Sequence, residues 1–184
     1  MPSLFVFKNY TLTPFYSFID ERSKYFDDSR QAWSEEKPKY KLFIGSKIPN
    51  LNEVLVFIEQ TSKQERCKEG LYFSVGTNEW EHIAPTPPHR KSSYLSKVSY
   101  IDIRRIVFEN INDLFIKYSK KPEEFAMVAK LPDNKKNEMS QCFNNLPRHN
   151  LANNEQNNIK TLVGILPDDF INKRTAEFIN SFYN

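Results

Sequence analysis

The segment with the most chemically capable side chains runs from Glu79 to Lys91 in this chain of 184 residues. It contains two of the three histidines, His82 and His89, beside carboxylates. A histidine next to a carboxylate can act as a general base, and two histidines with a carboxylate can bind a metal ion. However, the His82-x6-His89 spacing matches no helical or zinc-finger pattern, and no nucleophile motif accompanies it. We therefore expect no metal and no cofactor, and we favour a non-catalytic role over an enzyme.

The same segment is better suited to contacting another protein. Tryptophan, arginine and histidine on a stiff loop are typical interface anchors, and Pro87-Pro88 favours an extended backbone. Trp33 lies in a strongly charged run, where it either packs back onto the core or stands exposed as a contact residue. We expect Trp80 to be exposed as well. The residues predicted to bind a partner are Trp33, Trp80, Glu81, His82, His89 and Arg90.

The composition indicates one folded domain over residues 1–184. The hydrophobic fraction is 39%, but 15 Phe and 9 Tyr can fill a core with large rings, and a chain of this length can bury one. The four glycines are scattered, which argues against phosphate-binding and dinucleotide-binding loops. A net charge of +3 without a dense basic block argues against a typical nucleic-acid binder.

Cysteine usage and the N-terminus indicate a cytoplasmic protein. Cys67 and Cys142 belong to no Cys-x-x-Cys motif, so we expect two free thiols in a reducing compartment. The apolar run Leu4–Phe7 is too short for a secretory signal or a membrane span. We therefore expect no membrane association.

Two structures fit the longest apolar-rich run, residues 99–121. The spacing of Ile103, Ile106 and Ile111 and the apolar residues after them favours one long helix. The alternative is a strand over 97–108, rich in Val, Ile, Tyr and Phe, followed by a shorter helix capped by Asn110.

The remaining patterns predict an α+β fold, with one mixed or antiparallel sheet of about five short strands and three to four packed helices. Asp20 and Asp27 are interpreted as part of a solvated helix face. A polar Asn/Lys-rich loop covers about 134–158, interrupted by a short helix near 139–146. Strands are predicted at 4–7, 39–45, 71–77, 124–131 and 159–166, and further helices at 15–26, 51–62 and 170–183.

The leading functional hypothesis is a protein-binding protein without catalysis. Its specific form is a small cytoplasmic inhibitor or immunity-type protein that neutralises a toxin or enzyme by direct binding. The alternative is a nucleic-acid-associated accessory protein, and a third hypothesis is an enzyme that uses the Glu79–His89 loop. The residues that would carry the nucleic-acid alternative are Lys39, Tyr40, Lys41, Lys47, Tyr72, Phe73, Arg104 and Arg105.

Overall fold

The computed structural model describes residues 12–23, 26–27, 29–33, 37–47, 53–83, 95, 97–120 and 125–182. Within this part of the chain the fold is α+β, as the sequence predicts, with four α-helices and one large antiparallel sheet. The large sheet has seven strands rather than about five, and these include residues 16–23, 54–61 and 99–110, for which the sequence favours helices, and residues 81–82, which it assigns to a loop.

The strands follow each other closely in the first two thirds of the chain. They are β1 (Tyr16–Ser23), β2 (Phe26–Asp27), β3 (Ala32–Trp33), β4 (Lys37–Lys47), β5 (Val54–Thr61), β6 (Tyr72–Val75), β7 (Glu81–His82), β8 (Ser99–Asn110) and β9 (Phe125–Lys130). The helices are α1 (Ile111–Tyr118), α2 (Asp133–Asn144), α3 (Asn153–Val163) and α4 (Lys173–Asn180). The sheet order is β6-β8-β5-β4-β1-β9-β7, and β2 pairs with β3 separately.

Both faces of the sheet are covered. On one face, Val56 and Ile58 of β5 join a core with apolar residues of α2, α3 and α4. On the other, Leu55 and Phe57 join an aromatic core that includes residues of α1. Successive side chains of a strand point to opposite faces, so a strand covered on both sides needs an unbroken apolar run. That run explains why the helix predicted over 51–62 is wrong: Val54–Ile58 is apolar on both faces of a strand.

The shorter-helix alternative for residues 99–121 is correct, and the long helix is wrong. Asn110 ends β8 and caps α1, because its side chain accepts hydrogen bonds from the backbone N–H of Asn112 at 2.9 Å and of Asp113 at 3.3 Å. The helix-like spacing has a local cause: the register between β5 and β8 shifts between Ile58 and Gln60. The extra residues lie in β8. As a result Ile103 and Ile106, which both face the core, are three positions apart in the sequence, as on one face of a helix.

The helix predicted over residues 15–26 is also wrong, because residues 16–23 form strand β1, in which successive side chains such as Phe18 and Ile19 face opposite cores. Phe15 just before it has a φ of 68°, in the left-handed region, and its main chain bonds both Phe43 and Leu131. The resulting turn places Phe15 and Phe18 in different cores although their spacing resembles one helix face.

The last third of the chain is helical where the sequence predicts a polar loop and a strand. The loop predicted over 134–158 contains most of α2 and the start of α3, and the strand predicted over 159–166 is largely α3. The short helix predicted near 139–146 corresponds in part to α2, which begins earlier, at Asp133. Each helix buries a narrow apolar stripe, Met139, Cys142 and Phe143 in α2 and Ile159 and Leu162 in α3. Their exposed sides are rich in asparagine and lysine, which obscures the helical period.

Other predictions agree with the fold. The strands at 39–45, 71–77 and 124–131 correspond to β4, β6 and β9, and the closing helix corresponds to the shorter α4. The strand predicted at 4–7 lies outside the described residues.

The cap that starts α1 gives a direct test of the β8–α1 junction. Replacing Asn110 with alanine removes the side-chain acceptor for two helix N–H groups, so the free energy of unfolding should fall by about 1 kcal/mol. Urea unfolding followed by circular dichroism measures this. Asn112→Ala is the matched control, because Asn112 is exposed and contributes only its backbone N–H to the cap. Equal unfolding midpoints for the two variants would contradict the assigned cap.

Candidate functional site

The structure brings together only part of the partner-binding set predicted from the sequence. Trp80, Glu81 and His82 lie at the turn before β7 and in β7 itself, while Trp33 lies in β3 opposite Phe26. His89, Arg90 and the Pro-rich piece between residues 84 and 90 lie outside the described residues.

Trp80 is buried, which corrects the expectation that it is exposed. Its exposed fraction is 4%, and it belongs to the core beneath α2, α3 and α4. Its indole Nε1 has no hydrogen-bond partner among the described residues. A ring packed in this way anchors the turn to the core and presents no surface for a partner to contact.

Glu79 closes the turn between β6 and β7. One carboxylate oxygen accepts the backbone N–H of Gly76 at 2.7 Å, and the other lies 3.1 Å from Nζ of Lys135 in α2. The Gly76 hydrogen bond, and after it Lys135, lower the pKa of Glu79. A carboxylate held in its ionised form suits a structural turn and not a general acid.

His82 is exposed at the end of β7, where its Nε2 lies 2.7 Å from the carbonyl oxygen of Thr77. This contact is a hydrogen bond in the tautomer that carries its proton on Nε2. Glu81 beside it is also exposed and lies 3.9 Å from Lys130. No group of three or more histidine, cysteine, aspartate or glutamate residues converges on a possible metal position in the part of the chain that is described.

A buried charge cluster lies on the aromatic face of the sheet. Nζ of Lys41 is 2.9 Å from Asp20 and 3.0 Å from Glu109, and the hydroxyl of Tyr118 donates to Asp20. Lys117 lies 3.4 Å from the same carboxylate. Asp20 is therefore a buried strand residue, and the solvated helix face expected for it is wrong. Burial alone would lower the pKa of Lys41, but the two carboxylates outweigh it and raise the pKa, so the amine stays protonated.

A second buried carboxylate, Asp102, organises the irregular part of β8. It accepts the backbone N–H of Lys68 at 2.9 Å and the guanidinium of Arg104 at 2.7 Å, and Arg104 also reaches Glu155 at 3.3 Å. Arg105 lies 3.9 Å from Glu59. Arg104, which the nucleic-acid alternative assigns to phosphate contacts, is thus engaged within the chain, whereas Nη1 of Arg105 is buried without a hydrogen-bond partner among the described residues.

An open groove of about 290 Å³ runs between β6 and α2. Phe73 and Cys142, with exposed fractions of 4% and 5%, are its most deeply buried lining residues. β6 is the last strand on its side of the sheet, and no described strand pairs with its outer edge. The groove is also lined by Tyr72 and Ser74 along the β6 edge and by the polar residues Glu69, Glu138, Gln141 and Asn145.

The two edges of the sheet differ in their protection. β7 has only two residues, Glu81 and His82, and short, charged edge strands resist pairing with another chain. β6 has four residues, Tyr72 to Val75, and contains neither lysine nor proline. Sequence reasoning found this strand but not its edge position. The available signal was the absence of the residues that usually protect an edge.

Comparison of the chain with protein-family models, with curated proteins and with solved structures found no match. In the described part of the chain, none of the helices has the length and apolar character needed to cross a membrane. The geometry of the chain itself is therefore the basis on which a function can be proposed.

The buried lysine can be tested by removing its charge. Lys41→Met leaves Asp20 buried without its main partner, and breaking a buried ion pair typically costs about 3–5 kcal/mol of unfolding free energy. Because Tyr118 and Lys117 still contact Asp20, we expect a loss of about 3 kcal/mol. Chemical denaturation measures the loss. Lys47→Met is the control, since Lys47 is exposed on the same strand and should change stability by at most about 0.5 kcal/mol. Similar stability of both variants would contradict the cluster.

The lowered pKa of Glu79 gives a second test. A carboxylate whose pKa is lower in the folded state stabilises the fold above its unfolded pKa, and this contribution disappears as the pH falls through the folded pKa. Lys135→Gln should raise the Glu79 pKa towards its ordinary value, whereas Lys136→Gln should leave it unchanged. Carboxyl carbon NMR during an acid titration measures both. An unchanged Glu79 titration in Lys135→Gln would contradict the assigned contact.

Proposed function

We propose that this chain is a non-catalytic protein-binding protein that takes up an extended segment of its partner as an additional strand on β6. The observation that carries the proposal is the outer edge of β6, which no described strand covers and which borders an open groove. Addition of a strand to an open edge is a recurring mode of peptide recognition, with affinity from main-chain hydrogen bonds and specificity from side-chain pockets.

The pairing of β6 with β8 determines which main-chain groups face outward. The backbone N–H of Ile103 donates to the carbonyl of Leu71, and Phe73 stands opposite Ile101 in the same register. In an antiparallel pair, every second residue directs both its N–H and its C=O towards the neighbouring strand. The intervening residues, Tyr72 and Ser74, therefore direct their N–H and C=O groups away from β8. They offer two donors and two acceptors to an incoming strand.

The surroundings of this edge provide two different environments for the side chains of a bound segment. Residues that alternate along an added strand point to opposite faces of the sheet. On one face they would enter the groove beneath α2. On the other they would lie near Tyr72 and Tyr100, whose rings pack edge to face with centroids 6.2 Å apart. Such alternation can select a partner sequence.

The titratable groups support binding over catalysis. Burial raises the pKa of Cys142 to about 12, and burial also raises the pKa of Cys67, so neither thiol is poised as a nucleophile near neutral pH. The raised pKa of Lys41 keeps its amine protonated, and the lowered pKa of Glu79 keeps its carboxylate ionised. Catalytic groups usually have pKa values shifted towards neutrality, and these four groups are shifted away from it.

Within the binding class, the inhibitor or immunity-type role is the biological use that we propose. A protein that holds a segment of an enzyme or toxin as a strand withdraws that segment from its own fold or active site. The free thiols of Cys67 and Cys142 support a reducing compartment, and we propose the cytoplasm.

Ser74→Pro tests the edge directly. Proline removes the outward N–H and places its ring at the edge, while the bonds between β6 and β8 stay available. We expect the variant to bind at least about tenfold more weakly, since it loses a main-chain bond and blocks close approach. The probe is a decapeptide selected from a random displayed library against the whole chain, and fluorescence anisotropy measures its affinity.

Ser74→Val is the matched control, because it keeps the N–H and a side chain that favours strands. Circular dichroism and thermal unfolding establish that both variants are folded. Bound peptide should slow amide hydrogen exchange at Tyr72 and Ser74 in the wild-type chain. Undiminished binding by folded Ser74→Pro, or a selection that yields no binding peptide, would overturn the proposed function.

A further inference from the structure

We infer that the segment bound at β6 carries a lysine or arginine on the face that enters the groove, an inference that rests on the proposed strand addition. Among the described residues, the groove is lined by two carboxylates, those of Glu69 and Glu138, and by no lysine or arginine. The whole chain has a net charge of +3, whereas the charged side chains that line the groove are negative. A cationic side chain is complementary to them.

The carboxylates remain accessible to an incoming cation. Glu69 is exposed, and the side chain of Glu138 is 43% exposed. One oxygen of Glu138 lies 2.7 Å from Lys135, which is itself only 10% exposed and also contacts Glu79. Lys135 therefore already pairs with one oxygen of Glu138, and the lone pairs that remain on this partly exposed carboxylate can accept further hydrogen bonds.

The amides of the groove add acceptors. Nδ2 of Asn145 donates to the carbonyl oxygen of Gly70 at 3.0 Å, which leaves Oδ1 of Asn145 as an acceptor. Together with Glu69 and Glu138, this oxygen favours a ligand group that only donates. Lysine ammonium and arginine guanidinium groups are donors without acceptors, whereas the acceptor-rich phosphates of a nucleic acid would meet like charge here.

Strand geometry also determines the side chains expected on either side of the basic residue. Its immediate neighbours in the bound segment point to the other face, near the ring pair of Tyr72 and Tyr100, where an apolar or aromatic side chain packs well. The residue two positions away returns to the groove. The expected partner segment is therefore extended and alternating, with a basic residue over the groove and apolar residues beside it.

The experiment compares charge on both sides of the contact. The selected decapeptide is synthesised with its basic residue and with norleucine in its place, and both are titrated against the wild type, Glu69→Gln/Glu138→Gln and Glu177→Gln. We expect the double variant to bind the basic peptide about three- to tenfold more weakly at low salt, since exposed ion pairs contribute modestly. The norleucine peptide should bind the double variant and the wild type equally. Added salt should weaken only the binding of the basic peptide to the wild type.

Glu177→Gln is the matched control, because Glu177 is an exposed carboxylate on α4 and does not line the groove. Equal binding of the basic and norleucine peptides by the wild type would overturn this inference while leaving strand addition intact. Binding that is insensitive to Ser74→Pro would overturn both. A concentration-dependent dimer of the free chain that Ser74→Pro abolishes would identify a second copy as the occupant and also overturn the inference.

Discussion

Burial of both faces of the central strands is the constraint on which the other features depend. β5 presents Leu55 and Phe57 to one core and Val56 and Ile58 to the other, so none of these side chains is available to solvent. When helices cover the faces of a sheet, its open backbone groups lie at its edges. One edge of this sheet is the very short, charged β7, and the other is β6. The position proposed for a partner thus follows from how the faces are covered.

The aromatic face shows how charge can be kept within such a core. Phe18, Phe43 and Phe57 belong to the same core in which Lys41 reaches Asp20 and Glu109, and Nζ of Lys41 also lies 5.4 Å from the centre of the Phe57 ring. These charges come from β1, β4 and β8, and Tyr118 adds a donor from α1. A buried charge is tolerated when its partners satisfy it. The cluster therefore joins three strands and a helix in one arrangement.

A register irregularity positions the polar groups around Asp102 and accounts for one error of sequence interpretation, the long helix favoured over residues 99–121. In β8 the extra residues around Asp102 let its carboxylate bind the backbone at Lys68 and the side chain of Arg104. This fastens the segment that leads into β6 and thus supports the proposed edge. The same irregularity gives the isoleucines of β8 a three-residue step that resembles a helix. A local feature that serves the tertiary structure can therefore conceal the period of a strand.

Local patterns of apolar residues and caps are enough to predict the α+β class, the strands β4, β6 and β9, and the two possible structures of residues 99–121. They do not show which strands lie at the edges, since edge position depends on pairing between distant segments. For the same reason the sequence assigned Trp80 to the surface and Asp20 to a solvated helix. Glu69 and Glu138 line the same groove beside β6 because α2 packs on the sheet. Only the tertiary structure decided this, since the two residues are about 70 positions apart in the sequence and meet only in the folded chain.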